Sequence, residues 1–357
     1  LRRTTAHSRS GTGFGAGFIF ALLAGSPVLQ AADQPAGAKA GHDHSAHAHQ
    51  MSKEDIATLR RKIELYQEYT DEQINASMAR MTDSERYVSP AGVRGDIGVL
   101  ALGHGYKEPG DTMFTNAYKP IAAEHPTAAA LGMAMMSSDH IQTAVDQLEA
   151  AGAKTIVAIP TEVGDYTSLV RQWHYIFGMS NESAYLDVPR VKSNARVVVT
   201  KTVVTDPVVG KILGDYAKEA SRNPQKEVAL IVAHGPETAA DNSKLLEVLG
   251  QHASRVKAKS GLLEVKAESI QDDAPSAIRK ANADRIRNYI KSHADSGHRV
   301  IVLQVLMTGQ GGVTARFRRD FDGLDYDLVD KGLVEHPAFT GWLRKQIAQA
   351  AEKPAGS

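Results

Sequence analysis

The chain has 357 residues, 42% of them hydrophobic and 23% charged, which is enough apolar material for two ordinary cores and too much for a disordered or fibrous chain. Its 41 basic and 41 acidic residues cancel, so no global field draws it to nucleic acid or an anionic membrane. Cysteine is absent, which excludes disulfides, thiolate nucleophiles, iron-sulfur clusters and Cys-based zinc sites and leaves any metal to His, Asp, Glu or Met.

In chain order, Arg2, Arg3 and Arg9 precede an apolar run over 13–23, followed by Pro27 and Leu29-Gln30-Ala31-Ala32-Asp33. That is the form of a cleavable secretory signal over residues 1–32, and it places the mature chain in a periplasm or otherwise outside the cytoplasm. The run is too short and Gly-rich for a membrane span, so no stable insertion is expected after cleavage. Residues 33–50, dominated by Ala, Gly and His without apolar periodicity, read as a disordered tether. Within it, His42, His44, His47 and His49 beside Asp43 suit a borderline divalent ion such as cobalt, nickel, zinc or copper. Residues 51–90 read as a helical segment, because Ile56, Leu59, Ile63, Tyr66, Ile74, Met78 and Met81 fall near helical spacing. One long helix or a helical pair is expected over 52–85, packed on the body or on a second subunit, which offers a route to a homo-oligomer.

From Asp96 onward, apolar runs at 97–102, 128–136, 155–159 and 196–204 alternate with amphipathic stretches such as 141–151. Near-continuous apolar strands with helices between them imply an α/β protein whose parallel sheet is covered on both faces. The same order resumes at Glu227. His104-Gly105 recurs as His234-Gly235, and Asp206-Pro207 recurs as His336-Pro337, both displaced by 130 positions. Gly152-Ala153-Lys154-Thr155-Ile156-Val157 matches Gly297-His298-Arg299-Val300-Ile301-Val302 at 145, so about fifteen extra residues precede that strand in the second copy. The expectation is two similar parallel-sheet lobes from an internal duplication, 96–225 and 226–352, preceded by the helical segment.

Ligands of such sheets gather at the carboxyl ends of the strands, where both His-Gly pairs sit. A neutral imidazole there can bind a divalent metal or accept a proton near neutral pH. Strand alternation puts Glu264, Lys266 and Glu268 on one face, with Glu268 expected at the sheet edge of His234 and Met136 in its place in the first copy. Glu268 equally suits the start of a following helix. The loop Gly309-Gln310-Gly311-Gly312-Val313, followed by Arg316, Arg318 and Arg319, offers backbone amides and guanidinium forks to carboxylates or phosphates. It lacks the Lys-Ser/Thr ending of a nucleotide-binding P-loop. In the first copy, Glu162 and His174 are weaker candidates that equally suit packing and capping.

Three stretches, Val99-Leu100-Ala101-Leu102-Gly103-His104-Gly105-Tyr106-Lys107-Glu108-Pro109, Gly152-Ala153-Lys154-Thr155-Ile156-Val157-Ala158-Ile159-Pro160 and Leu230-Ile231-Val232-Ala233-His234-Gly235, resemble the class II chelatases, the superfamily of sirohydrochlorin cobaltochelatase and ferrochelatase. The resemblance covers residues 96–350. It implies two α/β lobes around a cleft that binds a tetrapyrrole and inserts Co2+, Fe2+ or Ni2+, cobalt foremost, with no organic cofactor. It also implies that His234 faces the metal and takes a pyrrole proton, that Glu268 guides the cation and that His104 is the next metal candidate. Arg316, Arg318 and Arg319, with Gly311 and Gly312, would hold the carboxylates of a sirohydrochlorin-like ring. The family commonly places a second metal-binding His in a Gly-x-His loop, where this chain has Gly309-Gln310-Gly311-Gly312-Val313. That departure keeps open a non-catalytic carrier or sensor of metal or tetrapyrrole.

Overall fold

The computed structural model describes residues 51–352, so the expected signal and tether, with His42, His44, His47 and His49, lie outside the described residues. The segment over 52–85 is a helical pair, α1 (Lys53–Lys62) and α2 (Asp71–Met78), followed by strand β1 (Ser84–Tyr87). Its breaks are written in the capping chemistry: Ser52 Oγ accepts from Asp55 N, and Thr70 and Gln73 form a reciprocal capping box. Ile56, Leu59, Ile63, Tyr66, Ile74 and Met78 pack against Met135 and Tyr185 of the body, and Lys62 Nζ donates to Ser183 and to the Tyr185 carbonyl. The apolar stripe is therefore covered within the chain.

The first lobe runs β2 (Ile97–Gly103), α3 (Gly110–Ala122), β3 (Thr127–Leu131), α4 (Asp139–Ala150), β4 (Thr155–Pro160), α5 (Ser168–Ile176), β5 (Arg196–Val199) and α6 (Val208–Ala220). Its sheet has the order β1-β3-β2-β4-β5, parallel except for β1, which pairs antiparallel with β3. The second lobe runs β6 (Glu227–Ala233), α7 (Ala239–Ser260), β7 (Glu264–Ser269), α8 (Ser276–Asp295), β8 (Arg299–Val305), α9 (Gly312–Asp320), β9 (Asp327–Val329) and α10 (Pro337–Glu352). Its all-parallel sheet is ordered β7-β6-β8-β9, the same winding as in the first lobe.

The duplication is explicit in these elements. Strand starts are offset by 130 for β2 and β6, 137 for β3 and β7, 144 for β4 and β8, and 131 for β5 and β9. The extra residues lie in α7 and α8, which have 22 and 20 residues against 13 and 12 in α3 and α4. The compensating shortfall lies between α9 and β9, where 321–326 replaces the long stretch 177–195 of the first lobe.

Two strands are shorter than the apolar runs suggest. Beyond Leu131 the chain turns through Gly132 and Ala134, and beyond Val199 it is drawn aside by Asp165 Oδ1, which accepts from Thr202 N and Oγ1. The last helices are exchanged: α6 packs on α7 and β8 of the second lobe, and α10 packs on α3 and β4 of the first. One apolar core consequently runs through both, from Val99 and Ile159 through Leu213 to Ile231, Leu303 and Leu343. Among the described residues no helix is long and apolar enough to cross a membrane.

Candidate functional site

In each sheet the winding reverses at a pair of neighbouring strands, β2 beside β4 and β6 beside β8, and a crevice opens beyond their carboxyl ends. The loops after all four strands line a single cleft of about 420 Å³. That lies within the ~300–1,000 Å³ of typical small-molecule sites.

Both His-Gly pairs reach this cleft and share one local geometry. Gly105 and Gly235 have φ of +81° and +83°, a left-handed turn that a side chain resists; at Gly235 a Cβ would also collide with Ser269 Oγ. The turn folds each glycine carbonyl back to its own imidazole, 2.6 Å from His104 Nδ1 and 3.0 Å from His234 Nδ1. A carbonyl only accepts, so Nδ1 carries the proton and Nε2 is left as base or metal ligand.

What faces Nε2 differs between the copies. His234 Nε2 lies 3.6 Å from Asp272 Oδ2 and 3.7 Å from Asp273 Oδ2. Burial lowers the His234 pKa, but the Asp273 and Asp272 carboxylates outweigh it, so the imidazole is held above its ordinary value. Asp272 is buried and balanced by Arg279 Nε at 2.7 Å and an Arg316 guanidinium nitrogen at 2.6 Å, whereas Asp273 is exposed in the cleft wall. The His104 ring instead lies on Tyr106, with centroids 4.2 Å apart.

Glu268 is not the acid beside His234. Glu264, Lys266 and Glu268 do share a face, but that face packs on α8: Glu268 is paired with Lys266 Nζ at 2.9 Å and with Arg285 at 2.9 Å, and Glu264 accepts from Tyr289 OH. The acids come from the turn after β7. The offset of 137 that aligns β3 with β7 also aligns the positive-φ residues Ala134 and Gln271, and it sets Met135 and Met136 against Asp272 and Asp273. Imidazole and carboxylate do meet in the second copy, but through Asp273 rather than Glu268.

Of the three arginines, only Arg316 reaches the cleft, with its charge taken up by Asp272. Arg318 is paired with Asp330 at 2.8 Å on the surface, and Arg319 is exposed outside the cleft lining, because α9 turns these positions to solvent. Gly311, Gly312 and Glu162 line the cleft, and His174, in the last turn of α5, does not.

Glu237 escaped the sequence reading. It follows His234 by three residues, lines the cleft, and accepts from Ser168 Oγ of the first lobe at 2.7 Å. Burial pushes its carboxyl up to about 7, with Asp273 adding to the rise and the Ser168 hydroxyl opposing it. A signal was present, since the offset of 130 sets it against Lys107, a reversal of charge two residues after the matched His-Gly. A second cross-lobe contact, Arg171 to Asp241 at 2.9 Å, lies close by. Among the described residues, no three His, Asp or Glu side chains are gathered closely enough to cage a metal ion by themselves.

No protein-family model matches the chain, and no curated protein matches it in sequence. Among solved structures, SirB from Bacillus subtilis with Fe3+ superposes with a TM-score of 0.53 at 14% identity, over 72% of this chain and 98% of that one. A multi-domain protein from Deinococcus radiodurans, described as structurally similar to chelatases, gives 0.45 at 14% identity over 73% and 57% of the two chains. A Caulobacter myo-inositol binding protein gives 0.31 at 10% identity over 74% and 90%. The chain has a chelatase-like fold, two similar α/β lobes behind a helical segment.

Proposed function

We propose that this protein is a metal chelatase that brings a divalent ion, Co2+ foremost, to a tetrapyrrole held in the cleft between its lobes. The observation that carries the reading is His234, whose Nε2 faces the cleft between the carboxylates of Asp272 and Asp273 at the point where strand order reverses. Metal insertion exchanges one divalent ion for two pyrrole protons, so the site has to attract a cation, release it and accept protons. Asp273 and Glu162 supply attraction, and His234 Nε2 supplies a replaceable ligand and a base. Glu237, whose carboxyl burial pushes up to about 7, can receive a proton near neutral pH. No organic cofactor enters this reading. The form of residues 1–32 supports a periplasmic location, and His42, His44, His47 and His49 would collect scarce metal for the cleft.

A carrier that binds metal or macrocycle without turnover is the second reading, favoured by the loop at Gly309-Gln310-Gly311, which brings no second imidazole to His234. The two separate in an absorbance assay with Co2+ and either sirohydrochlorin or deuteroporphyrin. A chelatase accelerates metallation over the spontaneous rate, and His234→Ala reduces that acceleration by about 10²-fold or more. Deleting 41–50 slows the reaction only when metal is limiting. Tight binding of a ring without acceleration would establish the carrier instead, and full turnover by His234→Ala would remove His234 from the mechanism.

A further inference from the structure

Resting on the chelatase reading, we infer that the cleft selects a macrocycle with few carboxylates and discriminates against an octacarboxylate such as sirohydrochlorin. The charged side chains lining the cleft are Lys107 and Arg316 against Glu162, Glu237 and Asp273. Arg316 is already committed, 2.6 Å from the buried carboxylate of Asp272. A single exposed lysine is thus left to offset Glu162 and Asp273, with Glu237 joining them above about pH 7 and His234 adding positive charge only where it is protonated. An octacarboxylate ring would bring its own charges into a net-negative enclosure where screening by solvent is weakened.

The two outer arginines do not alter this balance. Arg318 is spent on Asp330, and Arg319 lies on the exposed side of α9 away from the cleft. Much of the remaining wall is apolar, where Met81, Met133 and Leu169 are joined by Tyr185, Leu306 and Met307, and its uncharged polar groups include Ser168, Thr308 and Gln310. Such walls favour a ring whose periphery is mostly methyl, ethyl or vinyl, because burying those groups is favourable while burying an unpaired carboxylate is costly. The acids meanwhile suit the other substrate, since a divalent cation lowers its free energy among them. The same charges that would draw the metal in would therefore keep a carboxylate-rich ring out.

The test is equilibrium binding of a graded series to the full chain, followed by ring absorbance and fluorescence without added metal. Deuteroporphyrin carries two carboxylates, coproporphyrin four and uroporphyrin eight on the same ring system, and sirohydrochlorin is the fourth probe. Affinity is expected to fall along the series, with deuteroporphyrin at least roughly tenfold tighter than either octacarboxylate, a gap that narrows in high salt. The double variant Glu237→Gln, Asp273→Asn is expected to narrow it further by strengthening uroporphyrin binding. Octacarboxylates bound as tightly as deuteroporphyrin would overturn the selectivity and leave the chelatase reading standing. Failure of all four rings to bind would remove that reading and the selectivity with it.

Discussion

His104 and His234 present the same imidazole in the same tautomer, and their difference lies in one turn of chain that supplies methionines in one lobe and aspartates in the other. Asp273→Asn is therefore expected to slow metallation and lower the His234 pKa, moving the acid limb of the pH–rate profile downward. Glu268→Gln should leave that profile in place and cost only about 1 kcal/mol of stability, because its partners Lys266 and Arg285 are half exposed. Glu237 makes a separate prediction. Between its ordinary value of 4.5 and about 7 the folded chain holds a proton that the unfolded chain has released, so stability falls as pH rises through that window and is level above it. Denaturant titrations at pH 5 and pH 7.5 should show this decline in the native protein and a flatter response in Glu237→Gln. The imidazoles were legible because His-Gly at a strand end is a local pattern. The acids were not: alternation gives the face of Glu268 without saying which layer covers it, and it stops at Ser269, before Asp272 is reached.

Capping chemistry marks where helices start, whereas hydrophobic spacing and apolarity leave the number and the ends of elements open. Ser52 and Thr70 start two helices that the hydrophobic spacing by itself leaves as one or two. By contrast Ala134 and Met135 are buried yet lie outside β3, since an apolar run reports burial and not pairing. The α1–α2 pair also has a place in the site, because the chain leaving it carries Met81 into the cleft wall. Leu59 is fully buried against this junction, and Leu59→Ala is expected to cost about 2–4 kcal/mol. If the pair supports the cleft, that variant should also bind deuteroporphyrin more weakly, with increased proteolytic nicking in 51–90. Unchanged ring affinity in the destabilised variant would separate the segment from the site.

For the molecule as a whole, the repeat arithmetic anticipates two similar parallel-sheet lobes, but it reveals neither the order of their strands nor that their last helices change places. Since α6 completes the second lobe and α10 the first, a cut between 225 and 226 would leave each fragment with an uncovered sheet face. A single denaturant transition, reported alike by circular dichroism and by tryptophan fluorescence, is expected; two separated transitions would contradict the shared core. Fragments made separately should be insoluble, and made together they should assemble. A single copy of the repeat, lending its final helix to an identical partner and receiving one in return, would form a twofold-symmetric dimer. In such a dimer every substitution is written twice, so a mouth with Glu237 on one side and Lys107 at the matching place on the other could not arise. Joining the copies in one polypeptide frees each half to mutate alone, and the unlike walls of the cleft record that freedom.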